Sequence, residues 1–113
     1  DVRTDAEWSF VGVPDLSEIG KQPLLVSWQR FPDMAVNAEF VETLGHAGLS
    51  PDAANLFICR SGARSRAAAI AMAAAGYTRC YNVAEGFEGD RDDLQHRSAT
   101  GGWKAAGLPW IQS

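Results

Sequence analysis

Cysteine is scarce in this chain. The 113 residues hold two, Cys59 and Cys80, too few for a disulfide framework and not spaced as a CxxC pair. Long apolar runs are missing as well, and nothing approaches the roughly 18 to 20 residues that a spanning helix requires. That excludes a helical integral membrane protein. Positive charge is in deficit: ten Lys and Arg against 14 Asp and Glu give a net charge of −4, with a pI near 5.0. This balance argues against nucleic acid or an anionic membrane as the main partner. The opening residues show neither an apolar signal segment nor an Arg-rich transit peptide. Two unpaired cysteines suit a reducing cytoplasm, so a cytoplasmic location is expected, an export signal trimmed ahead of Asp1 being the alternative. What remains is ordinary for a globular protein with a core, 46% apolar and 21% charged, at a length that suits one domain over residues 1–113.

Strand and helix signals alternate. Thr4 and Glu7 are spaced as a capping box and predict a short helix from Asp5. Leu24 to Trp28, after Pro23, reads as a buried strand, broken by Pro32 and Asp33. Asn37 is placed to cap a helix running to about Gly45, with Phe40, Val41 and Leu44 as its inward stripe. A second cycle follows: a strand at Asn55 to Ile58, then a helix from Arg64 to Ala75 closed by Gly76. Seven alanines between residues 67 and 75 predict close approach to a sheet. A further strand covers Arg79 to Val83, a Gly- and Asp-rich loop runs from Glu85 to about Gly102, and Trp103 to Ala106 reads as a last helical turn. The expected class is α/β, a mainly parallel sheet with helices on both faces.

The segment richest in chemistry is Cys59-Arg60-Ser61-Gly62-Ala63-Arg64-Ser65. It lies at the carboxyl end of a strand and the entry of a helix, where open α/β sheets place their sites. A thiol there feels the positive end of the helix dipole together with Arg60, Arg64 and Arg66, which favours thiolate. Gly62 permits a backbone with φ above zero that turns several N–H groups toward one point. The outcome is an anion cradle around a sulfur nucleophile. The competing reading is a buried filler cysteine beside a solvated basic face. The crowding of three arginines within seven positions of one thiol weighs against it.

CRSGARS resembles the active-site loop of the rhodanese family, the single-domain sulfurtransferases. Asp1-Val2-Arg3 with Glu7-Trp8 resembles that family's start, Asn82-Val83 with Glu85-Gly86-Phe87 its glycine turn, and Gly102-Trp103 with Gly107-Leu108-Pro109 its ending. The resemblance implies a central, mainly parallel sheet of about five strands, the first of them falling before residue 1. It implies Cys59 as the catalytic residue, carrying a persulfide. Arg60, Ser61, Gly62, Ala63, Arg64 and Ser65 would then form the loop binding substrate and persulfide, with Asp1 and Arg3 as structural support. No metal or other cofactor is implied. The implied partners are a small anionic sulfur donor such as thiosulfate and a thiol or cyanide acceptor, with a sulfur-acceptor protein as a further candidate; no nucleic acid and no membrane are expected, and the chain would be a monomer or weak dimer. The chain departs from the family in reading Gly12-Val13-Pro14-Asp15 after the first helix, in a longer loop after Phe87, and at Trp28 to Phe31.

Two other functions compete. A rhodanese-like relay or docking module would show little turnover of its own. A Cys-loop phosphatase or arsenate reductase also cradles an anion over a thiolate, but its spacing is C-x5-R, whereas Arg64 follows Cys59 after four residues. The shorter loop makes a smaller ring of donors, suited to one sulfur atom more than to a tetrahedral phosphate. Cys80 reads as core packing, since it begins its strand while Cys59 ends the neighbouring one, beyond bridging distance. His46 reads as a charge at a helix end, and the carboxylates Glu85, Glu88, Asp90, Asp92 and Asp93 as a solvated face. Trp28, Phe31 and Phe87 are candidates for walls of the site entrance.

Overall fold

The computed structural model describes residues 1–113. Helix α1 spans Asp5–Phe10, and Thr4 and Glu7 form the reciprocal capping box that the sequence predicts. Strand β1 (Val13–Pro14) pairs antiparallel with β6 (Trp110–Ile111), bringing the segment after α1 against residues 110–111. Strands β2 (Gln29–Arg30) and β3 (Ala35–Val36) form a hairpin. Helix α2 covers Phe40–His46, strand β4 Asn55–Phe57, helix α3 Ala63–Ala74, and strand β5 Cys80–Asn82. β4 and β5 are parallel, with Asn55 opposite Cys80 and Phe57 opposite Asn82. The crossover between them is α3, the arrangement a parallel pair demands.

Regular ladders are fewer than the five strands expected: three two-stranded pairings, one of them parallel. Single hydrogen bonds extend the parallel pair, however. Val2 N–H donates to the Ile58 carbonyl at 2.9 Å, and the Val26 and Trp28 N–H groups donate to the Asp1 and Val2 carbonyls. Leu24 to Trp28 therefore lies beside the sheet without forming the buried strand that its apolar run suggests. Leu24 and Leu25 stay exposed.

Other differences have local causes. α2 begins at Phe40, later than Asn37, because the Asn37 side chain accepts the Glu39 N–H and its carbonyl accepts the Phe40 N–H. That turn precedes the helix and does not belong to it. Phe40 and Leu44 are buried as expected. Trp103 to Ala106 makes one turn, closed by Ala106 N–H on the Gly102 carbonyl, and does not propagate. α3 matches its expected limits within a residue, and Gly76 ends it at φ +101°.

The core joins Val2, Phe40, Leu44, Phe57, Cys59, Ala68, Ala69 and Met72. Ala68 and Met72 are fully buried, so the alanines do let α3 lie close against β4 and β5. Leu56, on the opposite side of β4, is 64% exposed and borders an open apolar cavity of about 490 Å³. The core thus sits between α2, α3 and one side of the sheet, and it ends at the Cys59 sulfur. No helix is long and apolar enough to cross a membrane.

Candidate active site

Cys59 follows β4 by two residues and is 1% exposed. After it the chain must reverse into α3, and Gly62 makes the reversal at φ +106°. A Cβ at Gly62 would strike the Ala84 carbonyl oxygen, so both the conformation and the space require glycine there. Gly86, at φ +72°, lies as close to the Arg60 backbone. Phe87 and Glu88 N–H groups donate to the Cys59 and Arg60 carbonyls at 2.8 and 2.9 Å. The glycine turn after β5 is therefore bonded to the back of the loop and fixes it.

The sulfur itself receives donors. Gly62 N–H donates to Cys59 Sγ at 3.2 Å, and the Ser65 hydroxyl lies 3.1 Å away. Burial pushes the thiol up, but the Ser65 hydroxyl and the N–H groups of Ser65, Gly62 and Ser61 outweigh it and leave the pKa below its ordinary value. Hydrogen bonds to the charged form favour that form. Ala63 and Ser65 sit in the first turn of α3, whose amino end adds its dipole.

The arginines divide into two kinds. Arg64 is bound bidentately by Glu7 of α1, at 2.6 and 2.9 Å. Burial raises Glu7, but the Arg64 guanidinium and the Thr4 donors bring its carboxyl down to about 2. Arg64 thus fixes the loop against α1. Arg60 is exposed and makes no such bond. Arg66 is exposed and does not border the cavity over the sulfur. Arg97 does border it, anchored by its Nη1–H on the Gly89 carbonyl at 2.7 Å.

That cavity, about 580 Å³, is bordered by Glu7, Gln29, Met34, Cys59, Arg60, Ser61, Arg64, Glu88 and Arg97, among others. The expected aromatic walls are not there. Trp28 packs edge-on against Phe40 in the core, Phe87 is fully buried, and Phe31 points outward at the hairpin tip. The β2–β3 hairpin presents Gln29 and Met34 instead.

Asp1 and Arg3 lie beneath the loop. The guanidinium meets Asp1 at 2.9 and 2.6 Å, donates to the Gly12 carbonyl at 2.7 Å, and stacks 4.3 Å from the Phe87 ring centroid. Arg3 is fully buried, and burial lowers its pKa to about 10. Asp92 accepts the Leu94 and His96 N–H groups and Glu85 accepts the Gly102 N–H, so these carboxylates serve turns of the long loop. Cys80 packs at the core edge and is free, as is Cys59. The residues that sequence reasoning missed are Gln29, Met34, Glu88 and Arg97, which carry no local signal, and Asn82, which stands beside Val83 in the glycine-turn motif without marking its bond to Ser65.

A buried thiol just past a strand end, with the Gly62 N–H and the Ser65 hydroxyl on its sulfur and a buried Asp–Arg pair nearby, stands at the entry of a helix on an α/β fold. The Rhodanese-like domain model matches residues 1–93, and the chain belongs to that family. It is similar to "Uncharacterized protein RP600 homolog" of Rickettsia rickettsii, 40% identical over 111 residues, covering 97% of this chain and 79% of that protein. "Uncharacterized protein in dnaA 5'region" of Rickettsia montanensis matches to the same extent. Among solved structures it is similar to "Crystal structure of Rv0390 from M. tuberculosis", with 47% identity and a TM-score of 0.89, over 100% of this chain and 82% of that one.

Proposed function

We propose that the protein is a sulfurtransferase that moves sulfane sulfur from an anionic donor to a thiophilic acceptor through a persulfide on Cys59. The observation that carries this reading is the pair of donors on a buried sulfur, Gly62 N–H and the Ser65 hydroxyl. The Cys59 thiolate attacks the outer sulfur of a donor such as thiosulfate. The donor's S–S bond breaks, its electron pair leaves with sulfite, and a Cys59 persulfide forms. Preorganised N–H groups stabilise the anionic sulfur throughout. A thiol or cyanide then attacks the outer sulfur and releases the Cys59 thiolate. Arg60 and Arg97 attract the anionic donor at the mouth, while Arg64 holds the loop. The chemistry calls on no metal or organic cofactor.

A thiosulfate-to-cyanide assay on wild type beside Cys59→Ser tests this. Turnover that vanishes in the variant supports the reading, and equal rates in both overturn it. The cavity over Cys59 is far larger than thiosulfate, which favours a second reading, a relay that takes its sulfur from a bulkier persulfide. That reading predicts Cys59-dependent sulfur transfer with slow thiosulfate turnover.

A further inference from the structure

Asn82 ends β5 beside the loop, and its carboxamide touches the Ser65 hydroxyl rather than any substrate-facing surface. The buried Ser65 hydroxyl lies near three acceptors: Cys59 Sγ at 3.1 Å, the Gly62 carbonyl at 3.3 Å, and Asn82 Oδ1 at 2.5 Å. It has one proton to give. The Asn82 amide is oriented by its own donor, Nδ2–H on the Gly62 carbonyl at 3.0 Å, so the atom facing Ser65 is the oxygen. While Cys59 is a thiol every group is satisfied: S–H donates to Ser65 Oγ, and Ser65 O–H donates to Asn82 Oδ1. Once the sulfur is an anion, thiolate or persulfide, it and Asn82 Oδ1 compete for the same proton. One of them goes without.

We propose that Asn82 is a positioning residue of the sulfur site: its carboxamide oxygen competes with the Cys59 sulfur for the single Ser65 proton and so governs how readily that sulfur carries negative charge. The proposal rests on the reading that Cys59 is the reacting group. Its consequence is a brake. Asn82 holds the resting site toward the thiol, and a ligand or bound sulfur that draws the Ser65 proton inward releases it. The charged groups around the sulfur are Arg3 below, Arg64 with Glu7 between α3 and α1, and Arg60, Glu88 and Arg97 at the mouth. None of them contacts Asn82, so its substitution leaves their charges in place.

The test is the pH profile of Cys59 alkylation by iodoacetamide in wild type, Asn82→Ala, Asn82→Leu, Ser65→Ala and Ser65→Ala/Asn82→Ala. Both Asn82 variants should shift the midpoint downward and raise the rate at pH 6 about threefold. Ser65→Ala should shift it upward, and adding Asn82→Ala to it should change nothing further. An unchanged or raised midpoint in the Asn82 variants overturns the proposal. So does an equal fall in the Ser65→Ala background, because loosening of the loop does not need Ser65. Asn82→Leu keeps the side-chain outline should the alanine variant fold poorly. In wild type, independently of any variant's folding, the Asn82 side-chain amide resonances should titrate with Cys59; resonances indifferent to Cys59 ionisation sink the idea. Sulfur transfer is read separately with thiosulfate. Alkylation as expected without turnover removes the sulfurtransferase reading alone, and turnover without the Ser65-dependent shift removes this one alone.

Discussion

Arg64 and Glu7 stand 57 residues apart and meet through two parallel bonds of 2.6 and 2.9 Å. The guanidinium that CRSGARS offers as an anion ligand is thereby committed to the first helix. The fork geometry leaves Arg64 as a clamp that fixes the angle of the sulfur loop against α1. Arg60, by contrast, projects freely at the mouth.

The two arginines should therefore fail differently. Arg64→Ala leaves the part-buried Glu7 carboxylate without its cation, held by Thr4 alone, and should cost on the order of 2 kcal/mol of stability in urea unfolding. Arg60→Ala should leave stability nearly unchanged and raise the KM for thiosulfate, with a weaker salt dependence than wild type. Equal stability losses in the two would show that Arg64 is no clamp.

The same pair gives the protein an acid-side dependence. The folded carboxyl of Glu7 titrates at about 2, below its ordinary 4.5. A depressed carboxylate contributes fully above the unfolded value and loses that contribution as pH falls through the folded one. Wild-type stability should thus fall between about pH 5 and 2, by on the order of 2 to 3 kcal/mol from this group. In Glu7→Gln that segment of the profile should be flatter, with lower stability at neutral pH. Denaturant titrations at pH 7 and pH 3 read the difference; parallel profiles would contradict it.

Cys59 and Cys80 make an internal comparison. Hydrogen bonds hold the Cys59 thiol below its ordinary pKa, and burial pushes Cys80 above it. Iodoacetamide should label Cys59 well below pH 8 and Cys80 hardly at all without denaturant. Comparable labelling of both at neutral pH would count against the cradle.

What the sequence made legible was local. The capping box at Thr4 and Glu7, the alanine helix closed by Gly76, and the turn at Gly62 are set by neighbours a few residues away, and each stands where its signal lies. Partners chosen by tertiary geometry were not legible. Nothing near CRSGARS indicates that Arg64 turns to Glu7, that Arg97 stands at the mouth, or that Met34 and Gln29 replace the expected aromatics. Leu24 to Trp28 shows the same limit from the other side. Its apolar run bonds along the sheet at Val26 and Trp28, but Leu24 and Leu25 stay exposed, and composition does not report which side chains a neighbour covers.

Ring size is where the preference for sulfur over phosphate is most exposed. Incubation with thiosulfate should add the mass of one sulfur to the intact protein, removable by cyanide and absent from Cys59→Ser, with negligible aryl phosphatase activity. A glycine inserted between Gly62 and Ala63 would restore the C-x5-R spacing. The loop has little room to absorb it: the Gly62 carbonyl is held by Asn82 Nδ2, and its Cα faces the Ala84 carbonyl. The extra residue must bulge toward the cavity and carry N–H groups away from the sulfur. Loss of one preorganised donor is worth roughly 3 to 4 kcal/mol in a transition state, so sulfur transfer should fall by two to three orders of magnitude (about 10²–10³-fold). A wider ring should also gain weak arsenate binding. A well-folded insertion variant with unchanged thiosulfate turnover would show that ring size does not select the substrate, since the same Cys59, Ser65 and mouth arginines would then serve either anion equally well.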